Sequence, residues 1–208
     1  EEEAARPVFH DALGTGPARR GRPIHDKGPT QAWSAVDEQV SNVRVAHRVR
    51  PGKMVLRDFD LRRPQDEILA AARLARAPEE RLEQFHYEAG SFLIDLDHKP
   101  AGPTPVADDR GATRHDDRAG QALAARALAS LRSDARVIAF DTNVLELRPG
   151  IICALETHPR AELADAPRLL VIASTLGGTH DGSWSHAVEV VLADAPFRPP
   201  RKTPKPCV

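Results

Sequence analysis

The sequence predicts an α+β fold in which a small antiparallel β-barrel, of about six to seven strands, carries one helix packed across it. Short runs of β-branched and aromatic residues, closed by Pro and Gly, predict the strands. One alanine- and leucine-rich segment has the periodicity of an amphipathic helix. With 208 residues and 41% hydrophobic content, the chain is long enough to bury a core.

The predicted helix covers residues 118–132, where apolar side chains recur every three or four positions. Asp116 or Asp117 is the expected N-cap, because a carboxylate there can accept the free N–H groups of the first turn. The face expected to be buried consists of Leu123, Ala127, Leu128 and Leu131.

Two predicted strands follow the helix with almost no spacer. A β-branched run spans residues 137–144, and Arg148, Pro149 and Gly150 form a turn before a second apolar run at 151–155. We expect the helix to lie on this antiparallel pair and bury it, because an amphipathic helix needs an apolar surface nearby.

The patterns on either side of this unit predict further elements. Alternating apolar and polar residues on both sides of a Pro-Gly turn predict a β-hairpin over residues 43–60. An alanine-rich run at 68–76, which follows a proline and two acids, predicts a second short helix. Strands are also predicted at 81–87, 169–175 and 185–192, and the last two are expected to form a hairpin.

Composition divides the chain into three parts. Residues 1–36 are dense in Gly, Pro and Arg and predict an extended linker, which can include one short strand, or the remnant of a preceding domain. Residues 37–197 contain the predicted strands and are expected to form one domain. Residues 198–208 are proline-rich and predict a semi-rigid spacer toward a further domain. Because the sequence begins with Glu1, we expect it to be part of a longer protein.

Composition also argues against several classes of function. The formal net charge is −1 and the pI is about 6.9, so no basic field predicts nucleic-acid binding. No apolar run approaches the ~20 residues that a membrane span needs. The only cysteines are Cys153 and Cys207, which predicts no disulfide framework and fits folding in a reducing compartment.

The polar segment at 91–117 contains the residues that most suggest chemistry. Carboxylates and imidazoles at this density could hold a metal ion for hydrolysis. No His-x-His pair or His-x-Glu-x-x-His unit is present, so we predict a polar loop that leads into the helix, with no metal and no cofactor. The alternative is a metal-dependent hydrolase that uses Asp95, Asp97, His98 and His115; the segment also contains Asp108 and Asp109.

Two other candidate sites are weaker. Asp58 and Asp60 would share one strand face, but no third ligand lies near them in sequence. Cys153 lies in the middle of an apolar run, where a thiol usually acts as a small apolar group. Since the chain also lacks a Gly-x-Ser-x-Gly elbow and a P-loop, we predict no catalytic or cofactor-binding residue and no enzymatic activity.

Four segments, at 57–64, 85–90, 143–159 and 194–206, resemble in their order the VgrG family of type VI secretion spike proteins. The first contains Asp58-Phe59-Asp60 and a proline, and the third ends in His158-Pro159. The fourth, rich in proline, resembles the family's junction between the hub-like region and an oligonucleotide-fold domain. The resemblance covers roughly residues 35–208.

This resemblance implies a mechanical role without catalysis. Three copies of the full-length protein would form a hub whose barrels stack on a ring-shaped tube protein. A needle outside this chain would cross the target membrane, and tip protein and effectors would bind domains outside it. The resemblance further implies assembly in the bacterial cytoplasm, then secretion through the type VI apparatus, with no nucleic-acid partner.

Two alternatives remain beside the hydrolase. A contractile-phage baseplate hub or late-control protein shares the same barrels. A carbohydrate- or protein-binding β-module would also fit a β-rich domain without visible chemistry.

Overall fold

The structure is a computed structural model, and it describes residues 12–28, 37–59, 67–73, 77–88, 92–95, 113–165, 167–180 and 182–200. Its strands and α-helices are, in chain order, β1 (Ile24–Asp26), β2 (Gln39–His47), β3 (Lys53–Asp58), β4 (Ile68–Arg73), β5 (Glu83–Tyr87), β6 (Leu93–Asp95), β7 (Thr113–His115), α1 (Asp117–Leu131), β8 (Arg136–Thr142), β9 (Ile152–Cys153), β10 (Leu155–Glu156), α2 (Ala161–Ala164), β11 (Leu169–Gly178) and β12 (Trp184–Leu192). Two short 3-10 helices, Leu13–Thr15 and Glu79–Arg81, complete the described elements.

The chain divides into two compact units. The barrel unit comprises Glu1–Arg48 and Asp134–Phe197, and the helix unit comprises Val49–Ser133 and Arg198–Val208. The segment 37–197, which we expected to form one domain, therefore contributes to both units. Of the predicted spacer at 198–208, residues 201–208 lie outside the described part of the chain.

The barrel unit is built on a seven-stranded sheet in the order β10-β1-β2-β8-β12-β11-β9. Its two edge strands, β9 and β10, are consecutive in the chain and are separated by Ala154 alone. The sheet therefore curls until its edges nearly meet, which gives a nearly closed barrel. This confirms the predicted fold class of a small β-barrel with few helices.

Alternation along the barrel strands separates two apolar clusters. In β8, Ile138 and Phe140 belong to the larger cluster, whereas Val137 belongs to the smaller one, because successive strand residues point to opposite faces. The larger cluster is the barrel core; it contains Ile24, Val40, Ile138, Phe140, Val144, Leu147, Cys153, Leu155, Leu163, Leu169, Val171, Val188 and Val190.

The described part of the N-terminal segment contributes one short strand, β1, to the barrel sheet. β1 pairs in parallel with both β10 and β2, so the sheet is mixed rather than purely antiparallel as predicted. The side chain of Ile24 is buried in the barrel core. Arg19, whose side chain is only 4% exposed, forms ion pairs with Glu38 and, at 2.6 Å, with Glu146.

The helix unit contains a three-stranded sheet in the order β4-β3-β5, with a two-stranded sheet of β6 and β7. Helix α1 packs on β3 and β4, not on the strands that follow it as we predicted. Small side chains at Ala70 and Ala124 allow this close approach. The core of this unit consists of Met54, Leu56, Ile68, Ala70, Phe92, Ala124 and Leu128.

The predicted helix at 118–132 is confirmed as α1, which begins at Asp117 and ends at Leu131. Asp116 is its N-cap: its carboxylate accepts the backbone N–H groups of Arg118 and Ala119, at 2.8 and 3.3 Å. One of the two predicted capping residues is therefore confirmed.

Three predictions of local structure are wrong. The alanine-rich run predicted as a helix forms β4, because pairing with β3 buries its alternate residues and overrides helix propensity. The hairpin predicted over 43–60 does not form; β2 pairs with β1 and β8, whereas β3 pairs with β4 and β5. The predicted strand at 151–155 is split, and its halves pair with β11 and β1 instead of β8.

Other predicted strands are confirmed. β5 covers most of the predicted strand at 81–87, and β8 covers most of that at 137–144. β11 and β12 form the predicted hairpin, although both strands extend further toward the turn than we expected.

Candidate functional site

The histidine- and aspartate-rich segment shows no metal site in the residues that can be described. Asp97, His98, Asp108 and Asp109 lie outside the described part of the chain. Of the other candidates, Asp95 pairs with Thr113 at one end of the β6–β7 sheet, and His115 pairs with Leu93 at the other end. Among the described residues, no three His, Cys, Asp or Glu side chains are placed to share a metal ion.

Asp58 is a buried structural residue. The residue is 1% exposed, and its carboxylate accepts the backbone N–H groups of Phe59, at 2.7 Å, and Phe92, at 3.0 Å. Asp60, its predicted companion, lies outside the described residues. In its described contacts, Asp58 therefore holds the backbone at Phe59 and Phe92 in place.

Cys153 is a buried free thiol in β9. Burial raises the pKa of this thiol to about 12, and the nearby positive charge of Arg19 only partly opposes that rise. Because the thiolate is the nucleophilic form of cysteine, this side chain is chemically inert at neutral pH.

Among the described strands of the barrel unit, the longest run of consecutive exposed residues lies on β11, in the outer half of the β11–β12 hairpin. We call it the arm and define it as residues 173–178 and 184–187. From Ala173 onward every β11 residue is exposed, so both faces of this strand are accessible. Two large apolar side chains stand out, Leu176 at 62% exposure and Trp184 at 48%.

The base of the arm is anchored to the barrel. His186, only 4% exposed, donates a hydrogen bond from Nδ1 to the carbonyl oxygen of Val144 over 2.9 Å. Beyond this contact the alternation continues, so that Trp184 lies on the same strand face as the buried His186 and Val188. The strand face that points into the barrel core therefore extends along the arm, beyond the point where the core ends.

The outer edge of β11 is open along the arm. β9 pairs with β11 only at Leu169 and Leu170. Val171 then donates its N–H to Ile151 and accepts from Gly150, at 2.9 and 2.8 Å. Beyond Val171, no described residue bonds to the outer edge.

The β11–β12 register identifies the free backbone groups. Val171 directs its N–H and C=O to the outer side of β11. In an antiparallel ladder this direction alternates from one residue pair to the next, and the bulge between Val171 and Ala173 adds one residue to β11. The N–H and C=O groups of Ser174, Leu176 and Gly178 therefore also point to the outer side. These three residues present an alternating row of donors and acceptors.

The arm lacks the features that usually protect an open edge. Proteins commonly place charged side chains or proline on such strands to prevent pairing with other chains. The strand residues of the arm include no Asp, Glu, Lys, Arg or Pro. An open, uncharged edge with exposed Leu176 and Trp184 is therefore suited to contact with another chain.

Sequence reasoning predicted the hairpin but not the arm. The pattern of apolar residues fixes which strand face is buried, but it does not show where the barrel core ends. The available signal was the absence of charge over residues 169–178, which could equally come from a fully buried strand.

No helix among the described residues is both long enough and apolar enough to cross a bilayer.

Comparison with known proteins gives one family and several structural matches, two of which are described here. The family model of the phage tail baseplate hub (GPD) matches residues 1–181. The 43 kDa tail protein of prophage MuSo2 from Shewanella oneidensis matches at 9% identity and a TM-score of 0.51, over 86% of this chain and 46% of that protein. The tail protein from Neisseria meningitidis MC58 matches at 10% identity and a TM-score of 0.47, over 88% of this chain and 50% of that protein.

A search of curated proteins found no significant match. The chain spans about half the length of the tail proteins that it matches. The likeness to the Shewanella protein, at 9% identity, is a likeness of fold. Since the family model extends over residues 1–181 of 208, the chain belongs to the phage tail baseplate hub (GPD) family.

Proposed function

We propose that this chain is the hub-like part of a structural protein that joins the tube of a contractile tail-like machine to its puncturing spike. Membership of the baseplate hub family carries the proposal. In the full-length protein, three copies would form the adaptor, and a ring-shaped tube protein would stack on it. Tip protein, effectors and membrane contact would depend on domains outside this chain.

The arm is the proposed contact between the barrel and neighbouring subunits. A strand from a neighbour can pair with the free groups at Ser174, Leu176 and Gly178, a mode of recognition known as strand addition. The same docking would cover Leu176 and Trp184, which otherwise remain exposed to water. This contact needs neither a catalytic group nor a cofactor.

Sedimentation of the purified chain with the ring-shaped tube protein encoded in the same gene cluster tests this role. We expect the chain to sediment with the rings. Leu176→Pro removes an outward N–H without removing a β11–β12 bond, so it should weaken association by roughly tenfold or more, or about 1.4 kcal/mol. Leu176→Ser, which keeps the N–H, should weaken it less. Failure of the unaltered chain to associate with the rings would contradict the proposal.

A second candidate is the hub of a type VI secretion spike, assembled in the cytoplasm and then secreted. The four segments that resemble VgrG, including Asp58-Phe59-Asp60 and His158-Pro159, favour it. Gene neighbourhood separates the two candidates. Capsid and portal genes beside this gene would support a phage tail, whereas genes for a type VI membrane complex would support the secretion spike.

A further inference from the structure

We propose that the outer face of the three-stranded sheet in the helix unit docks a partner protein whose surface is apolar and carries a carboxylate opposite Arg57. This inference rests on the proposed function in one respect: the proposed function places the chain in a multiprotein assembly. It concerns a different unit from the arm and can fail independently of it.

Alternation in β3, β4 and β5 gives this sheet two unlike faces. One face carries Met54, Leu56, Ile68 and Ala70, which pack in the core with α1. The other, which we call the outer face, is formed by every second residue of each strand. The pairing register arranges it in three rows: Leu69, Arg57 and Tyr87; Ala71, Val55 and Phe85; and Arg73, Lys53 and Glu83.

Large apolar side chains are exposed on the outer face. Tyr87 is 55% exposed, Phe85 51% and Leu69 42%. From Phe85 on β5, the second row continues across the sheet through Val55 on β3 to Ala71 on the edge strand β4. The first two rows therefore form one apolar area, which only Arg57 interrupts. Tyrosine, phenylalanine and arginine are among the residues enriched in protein interfaces.

The charges on this face indicate what the partner must supply. Glu83, the only acid in the three rows, forms an ion pair with Lys53. Arg57, in the middle of the apolar row, forms no side-chain hydrogen bond or ion pair with the residues that the structure describes. A partner that covered this row would remove water from the Arg57 guanidinium, and a buried unpaired charge is costly. A carboxylate on the partner removes that cost, because it accepts two N–H groups of a guanidinium at once.

The single tyrosine of the chain makes a direct test possible. Because Tyr87 is the only tyrosine, nitration with tetranitromethane modifies this face at one position that mass spectrometry can identify. We would nitrate the isolated chain and the native tail-like particles that contain it. In the particles we expect nitration of Tyr87 to be at least about tenfold slower, since an interface core excludes reagent and solvent.

Charge reversal and cross-linking test the carboxylate. Arg57→Glu should restore the reactivity of Tyr87 in particles or reduce incorporation of the chain, whereas Arg73→Glu at the end row should have a smaller effect. In particles that contain Arg57→Lys, carbodiimide should couple the new lysine to an Asp or Glu of the partner. Leu145→Lys, an exposed position in the other unit, serves as the control for unspecific coupling.

The possible outcomes separate this inference from the proposed function. Rapid nitration of Tyr87 in particles that contain the chain would overturn the docking face and leave the hub role standing. Protection of Tyr87 without any lysine–carboxylate coupling at position 57 would overturn the proposed partner chemistry. Recovery of the chain only as a free protein with reactive Tyr87 would overturn both proposals.

Discussion

The buried carboxylate of Asp58, at the end of β3, accepts the backbone N–H of Phe92 over 3.0 Å. The ring of Phe92 is fully buried and lies against Gly120 of α1, where an added Cβ would come within 2.9 Å of the ring. The side chain of Asp58 thus holds the backbone of Phe92, and that backbone positions the Phe92 ring against α1. Both contacts lie within the helix unit.

Replacing Asp58 by Ala should destabilise the protein by about 2 to 4 kcal/mol, because two backbone N–H groups lose their acceptor in a buried setting. Chemical denaturation monitored by circular dichroism measures this. Asp194→Ala, at an exposed position in the barrel unit, should cost less than about 0.5 kcal/mol. Equal effects of the two substitutions would contradict the structural role of Asp58.

Gly120→Ala should destabilise α1 although alanine is the better helix former. In an open helix the change would gain about 1 kcal/mol. Here the new methyl group meets the Phe92 ring, and overpacking of this kind costs about 1 to 3 kcal/mol. The double variant Gly120→Ala/Phe92→Leu should recover part of the loss in a double-mutant cycle. A stabilising effect of Gly120→Ala alone would show that Phe92 does not occupy this position.

Stability should fall in acid partly through Glu79. The hydrogen bond from Arg132, at 2.7 Å, and that from the backbone of Arg50 lower the pKa of Glu79 from its ordinary value of 4.5. Because the native pKa is lower, the contribution is complete above about pH 5 and is lost as the pH falls through the native pKa. Glu79→Gln should therefore flatten the loss of stability below pH 5, by less than about 1 kcal/mol at this partly exposed pair. Parallel curves for both proteins would argue against the Glu79–Arg132 contact.

The buried thiol of Cys153 should report on the integrity of the barrel. With Cys207→Ser in place, Cys153 is the only thiol, and burial raises its pKa to about 12. At pH 8 a thiol reagent such as dithionitrobenzoate should not react with the native protein but should react fully in denaturant. Rapid reaction under native conditions would mean that β9 is not packed as described.

The sequence predicted most strands and the long helix, because these depend on local patterns. Alternation in β8 and β12, and the helical period between Leu123 and Leu131, follow directly from which residues are apolar. Asp116 was predictable as an N-cap because the preference for aspartate at the start of a helix is also a local property of the sequence.

The predictions that were wrong depend on contacts between residues that are distant in the chain. The run from Ile68 to Arg73 has strong helix formers, yet it is a strand because β3 pairs with it. The helix at Asp117–Leu131 packs on strands that precede it by about 45 or more positions, which no local pattern encodes. The exposed arm around Leu176 was missed because burial depends on where the barrel ends.

Electron cryo-microscopy of tail-like particles from cells that carry this gene tests the hub role most directly. We expect density for the seven-stranded barrel at the baseplate end of the tube, in three copies, with the arm around Leu176 paired to a strand of a neighbouring subunit. Particles with a complete tube and baseplate that lack this fold, or that carry it elsewhere, would show that the chain is not the hub.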